Sequence, residues 1–209
     1  MDISTVDRNF AIQPTVTKED IVWHDIKEPA FDIYGLYDPK NTYPYYRLPP
    51  EIAAQAVKDY RTCFVAEGMW ENRVYDGIPA LLADLRAHGY RMVIATSKPE
   101  PFAVKILEHF ALLPYFDRVC GASLDEKRST KSDVIAYTLS ECGITDVRDA
   151  LMIGDRHHDV DGAHDHGLRA IGVLWGYGDR AEHEAALAEY IVQSIDELRV
   201  LLTENIPAS

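Results

Sequence analysis

The chain has 209 residues, 47% of them apolar, and carries a net charge of −13 from 21 basic and 34 acidic residues. That length suits one domain with room for a small second one, and a surface so acidic excludes nucleic acid and anionic membrane as expected partners. No apolar run reaches membrane-spanning length. The opening Met1-Asp2-Ile3-Ser4 lacks the basic-then-apolar pattern of a signal peptide. Three scattered cysteines, Cys63, Cys120 and Cys142, suit a reducing compartment, so a cytoplasmic protein is expected.

Residues 1–50 are rich in Pro, Tyr, Asp and Lys, with short apolar pieces such as Ile21-Val22-Trp23 and Phe31-Asp32-Ile33-Tyr34. Asp38-Pro39-Lys40-Asn41 reads as a turn and Leu48-Pro49-Pro50 as a stop, so short strands and loops are expected there. Ile52, Ala56, Tyr60 and Phe64 then recur at helical spacing. From Asp76 a regular alternation sets in. Asp76 is expected to cap a helix that runs through Leu85 and stops at Gly89. Residues 91–96 read as a buried strand, 99–110 as a helix with Pro in its first turn, and 116–120 as a second strand. A helix over 132–142 ends at Gly143, and a strand over 150–153 follows. A helix over 159–166 is closed by Gly167. A strand over 170–174, a helix from about Asp179 and a strand over 190–192 come next, and Ser194 with Glu197 forms a capping box for a final helix.

Apolar strands alternating with helices of about ten residues indicate βαβ units and a parallel sheet covered on both faces. Ligands of such sheets sit beyond the carboxyl ends of the strands, so three strand ends matter most. The first is Thr96-Ser97-Lys98-Pro99, where two hydroxyls and helix N-terminal amides suit a phosphate oxygen; the bland alternative is an N-cap. The second is Lys131 at a helix start. A cation there opposes the helix dipole, so it is either exposed or held to neutralise an anion. The third is Gly154-Asp155-Arg156-His157-His158-Asp159. Two carboxylates at one mouth repel unless a cation lies between them, and a hard ion such as Mg2+ suits oxygen ligands. His157, His158, His164 and His166 crowd the same stretch and read as a polar helix face rather than a transition-metal site.

Taken together, these segments resemble the haloacid dehalogenase (HAD) superfamily, in its phosphoglycolate-phosphatase-like branch, over roughly residues 50–202. Val93 to Pro99 is similar to that family's second motif, Thr130 to Ile135 to its third, and Met152 to Val160 to its fourth. Tyr75 to Ile78 and Ile171 to Gly178 fit as flanking stretches. The resemblance implies a three-layer, Rossmann-type α/β core over 76–209, a remnant of a helical cap over 51–75 and an atypical segment over 1–50. It further implies Mg2+-dependent hydrolysis of a small phosphorylated metabolite, with Thr96, Ser97 and Lys131 binding phosphate and Asp155 and Asp159 on the metal.

The same family opens with a buried strand ending in Asp-x-Asp-Gly-Thr, whose first Asp attacks phosphorus. No such motif stands near the start of this chain. Asp159-Val160-Asp161-Gly162 has similar letters but belongs to the fourth motif. Phe31-Asp32-Ile33-Tyr34 is the degenerate form considered, with Asp32 as the nucleophile. Trp23-His24-Asp25, Pro29 to Leu36 and Arg47-Leu48-Pro49 also resemble the β-rich leader of some SGNH/GDSL-type esterases. Three readings follow: a phosphatase using Asp32, a non-catalytic core that binds phosphate or Mg2+, and a fused or truncated product whose first segment covers the sheet, by pairing between two subunits of a homodimer for instance.

Overall fold

Parallel strands form here because each apolar run has two faces to bury. The computed structural model describes residues 62, 64–125 and 127–205, and these fall into two units that divide between Arg73 and Val74. In the first unit a short 3-10 turn, Gly68–Trp70, has Met69 buried, and Phe64 is buried as well. Asp32 and the expected elements of residues 1–50 lie outside the described residues.

The second unit runs α1 (Ile78–Ala87), β1 (Val93–Pro99), α2 (Glu100–His109), β2 (Arg118–Ala122), α3 (Lys131–Glu141), β3 (Leu151–Gly154), α4 (His157–His164), β4 (Arg169–Val173), α5 (Arg180–Ala185), β5 (Tyr190–Val192) and α6 (Ile195–Val200). β1 pairs with β2, and β3 with β4 and β4 with β5, all parallel. Side chains alternate between faces along a strand, and two separate cores record this. Ile94 of β1, Ile153 of β3 and Ile171 and Val173 of β4 face one core with Leu81, Leu85, Leu107 and Leu198. Their neighbours Ala95, Met152 and Ala170 face the other with Ile135, Val160 and Ala163. Helices α1, α2 and α6 therefore cover one face, and α3 and α4 the other. This is the expected three-layer arrangement. Fully burying one such Ile contributes roughly 1.5–3 kcal/mol.

Several element bounds are corrected: β2 runs over 118–122 rather than 116–120, α4 over 157–164 rather than 159–166, and two further ends differ for clear reasons. The α1 N-cap is Gly77, at φ 92°, with no side chain capping it; Asp76 does not cap the helix, because a left-handed residue already makes the entry turn and Pro79 in the first turn has no N–H to cap. The 91–96 strand starts two residues later and runs on to Pro99, with a register shift between Thr96 and Pro99 opposite Gly121 and Ala122. Pairing with β2 continues through the segment expected to open a helix, so α2 begins only at Glu100.

Candidate functional site

The β3–α4 connection brings two acids inward. Asp155 follows the last residue of β3, Asp159 is the third residue of α4, and both are fully buried. Glycines make this possible by close approach. A Cβ at Gly154 would overlap the Asp159 carboxylate, and one at Gly176 would overlap that of Asp155. The Asp155 Oδ2 accepts from the Tyr177 amide at 2.8 Å, and its main-chain carbonyl accepts from the Gly178 amide at 2.9 Å. Burial first, and then the charge of Asp159, push the Asp155 carboxyl up to about 8, against the lowering pull of the Tyr177 amide, Arg156 and Lys131. Asp159 Oδ2 accepts from the Arg156 amide at 3.1 Å, satisfying an N-terminal N–H of its own helix.

Lys131 is the first residue of α3, placed by a capping box between Thr130 and Asp133. Its side chain is buried, and its ammonium opposes the dipole of its own helix. The anion that holds it is Asp159, with Nζ 2.7 Å from Oδ1. The same Nζ donates to the Ala95 carbonyl at 2.8 Å. Lys131 thus links the Thr96 end of β1 to the acidic end of β3. Thr96 is fully buried, and its Oγ1 accepts from the Lys98 amide at 3.1 Å; Ser97 is half-buried. Both hydroxyls sit on an irregular strand end rather than at the helix N-terminus expected from sequence, Thr96 four and Ser97 three positions before the first residue of α2.

Several groups that no sequence motif marks complete this mouth. Tyr75 and Tyr177 flank Asp155: burial first, then the charges of Asp155 and Tyr177, push the Tyr75 hydroxyl up to about 12. Glu182 of α5 accepts from Arg156 Nε at 2.7 Å and from the His157 amide at 2.8 Å. Burial alone would raise the Glu182 carboxyl, but the His157 amide and Arg156 hold it below its ordinary value. The sequence signal for this grip is Gly176-Tyr177-Gly178, shortly after the strand over 170–174.

Two buried carboxylates suit a hard cation that completes its shell with water and substrate oxygens. The neighbouring histidines do not join them. His157 pairs with Asp161 at 2.8 Å, His164 with Glu189 at 3.3 Å, and His166 with Ser132 at 3.0 Å. Among the described residues no three His, Cys, Asp or Glu side chains gather as a metal site.

Residues 20–167 match the profile of the haloacid dehalogenase-like hydrolases. The tyrosine-protein kinase PtkA of Mycobacterium tuberculosis is 44% identical over 155 residues, 73% of this chain and 53% of that protein; the chain spans about half the length of this relative. A 5'-nucleotidase of Pseudomonas aeruginosa is 40% identical over 153 residues, 73% of this chain and 69% of that protein. Among solved structures, a predicted phosphatase from Clostridium acetobutylicum superposes with a TM-score of 0.72 at 47% identity, over 79% of this chain and 76% of that one.

Proposed function

This chain belongs to the haloacid dehalogenase-like hydrolase family, and from that membership we propose that it is a Mg2+-dependent phosphatase of small phosphate monoesters, of the phosphoglycolate or nucleotide kind. The observation that carries the reading is the Lys131 link. One buried ammonium contacts both Ala95, beside Thr96, and Asp159, beside Asp155. A phosphate group held by Thr96, Ser97 and Lys131 would lie against the acidic end of β3. Asp155 and Asp159 would hold the Mg2+, whose charge, when bound, offsets that of the phosphate oxygens. The nucleophile in this reading is Asp32, which lies outside the described residues. Its carboxylate would attack phosphorus as the P–O ester bond breaks, and the leaving alkoxide would take its proton from water. Water would then cleave the aspartyl-phosphate, restoring the carboxylate and releasing inorganic phosphate.

The name of the mycobacterial relative supports a second reading, transfer of the phosphoryl group to a tyrosine hydroxyl instead of water. A third is a core that binds phosphate or Mg2+ without turnover. Hydrolysis of p-nitrophenyl phosphate and of nucleoside 5'-monophosphates, with and without Mg2+, separates them. The phosphatase reading expects Mg2+-dependent release of inorganic phosphate, lost in both Asp155→Asn and Asp32→Asn. Release that survives in Asp32→Asn removes that residue as nucleophile. No release from any ester, at a detection limit well below ordinary phosphatase rates, removes the enzyme reading. Label from γ-labelled ATP appearing on a tyrosine peptide would favour the kinase reading.

A further inference from the structure

The segment 176–182 grips the Asp155 loop from both sides. Ahead of α5, the Tyr177 and Gly178 amides hold the carboxylate and the carbonyl of Asp155. Within α5, Glu182 receives the Arg156 guanidinium and the amide of His157. Asp179 caps α5 by accepting from the Glu182 amide at 2.8 Å, which sets the rotation of the helix and the direction of the Glu182 side chain. Arg156 stands between Asp155 and Asp159 in the sequence. A guanidinium pairs strongly with carboxylates, so an untethered Arg156 beside two buried acids is an internal competitor for any cation they attract.

We propose that Glu182 is a positioning residue for the cation site: it takes the Arg156 guanidinium as its own partner, so that Arg156 does not pair with Asp155 or Asp159, and it fixes the first turn of α4 through the His157 amide. The inference rests on the reading of Asp155 and Asp159 as the metal side. Side chains that orient a metal's ligands are worth about 10–100-fold in metal affinity when removed, and Glu182 acts here through the ligands' loop and through the charge next to it. Removing Glu182 therefore weakens the cation. Removing Arg156 as well restores much of the loss, because the competitor is gone. A residue that only stabilised the fold would show no such restoration.

The test is thermal unfolding of the full chain as a function of Mg2+ concentration, with EDTA as the zero point, so that stability and the Mg2+ midpoint come from one titration. The variants are Glu182→Ala, Glu182→Gln, Glu182→Ala with Arg156→Ala, and Asp155→Asn. The expected result is an Mg2+ midpoint raised about tenfold in Glu182→Ala, at least half recovered on the logarithmic scale in the double variant, and absent in Asp155→Asn. Should Glu182→Ala fail to fold, Glu182→Gln, which keeps an acceptor for the His157 amide but loses the charge that tethers Arg156, is expected to raise the midpoint severalfold. A parental midpoint in the Glu182 variants, together with its loss in Asp155→Asn, overturns the inference and leaves the metal reading standing. A double variant no better than Glu182→Ala overturns the competition argument. A parental midpoint in Asp155→Asn overturns the metal reading, and this inference with it.

Discussion

Helix α4 carries two acidic faces with opposite fates. On its inner face Asp159 is fully buried, tied to Lys131 and to the Arg156 amide, with Asp155 buried just before it. On its outer face Asp161 pairs with the partly exposed His157, and His164 reaches Glu189. Both faces carry aspartates, and the outer face adds histidines, so it is richer in metal-ligating groups. Only the inner face removes carboxylates from water, where a charge needs a partner. Burial, not composition, distinguishes a site from a solvated helix surface.

The sharpest way to break that contrast is at Lys131. Lys131→Met leaves Asp159 buried without its ammonium and is expected to cost about 3–5 kcal/mol in denaturant unfolding; a loss below about 1 kcal/mol would show that the pair does not hold the inner face. Next, Asp155→Asn is expected to cut Mg2+-dependent turnover by on the order of 100-fold or more, read from steady-state rates.

The same variant sharpens the contrast in the absence of metal. The Asp155 carboxyl titrates at about 8 when folded, above its ordinary 3.8. Its contribution to stability is therefore fully present below about pH 4, falls as pH rises toward 8, and is lost above that. Without Mg2+, Asp155→Asn should gain stability relative to the parent across that window and hold a constant difference above it. A flat difference from pH 4 to 9 in chemical unfolding would place the Asp155 carboxyl in ordinary, wet surroundings.

Smaller effects are expected at the supports. Gly176→Ala puts a methyl group into the Asp155 carboxylate and should cost about 1–3 kcal/mol, with a raised Mg2+ requirement. On the outer face, His157→Ala and Asp161→Asn should each change stability by no more than about 0.5 kcal/mol and leave the Mg2+ dependence unchanged. A larger shift in Mg2+ dependence from either would mean that the two faces share a ligand set.

Much of this was legible without coordinates. The strands at 150–153, 170–174 and 190–192 lie within a residue of β3, β4 and β5, because short apolar runs between turn and cap residues admit few alternatives. Ser194 caps α6 as expected, accepting from the Glu197 amide, but the Glu197 carboxylate accepts from the Gln193 amide, so the reciprocal half of the expected capping box does not form. The differences fell at element ends, one through a distant partner and two through local turn and cap chemistry. Thr96 to Pro99 looked like a helix entry, but pairing with Gly121 and Ala122 kept it extended. Asp76 looked like a cap, but the turn at Gly77 took its place. Helix α4 starts two residues earlier than its apolar pattern suggests, since Asp159 caps it from within.

What the sequence by itself determined is the alternation of elements, the family likeness and the identity of the groups at each strand end, because these rest on local period, turn residues and contiguous motifs. Only the tertiary structure decided that Lys131 answers Asp159 rather than solvent, that Gly176 to Gly178 grips Asp155, and that Glu182 engages Arg156. Those contacts join residues 22 to 28 positions apart, and no local pattern encodes them; they arise when parallel strands bring their carboxyl ends to one edge and burial forces each charge there to find a partner.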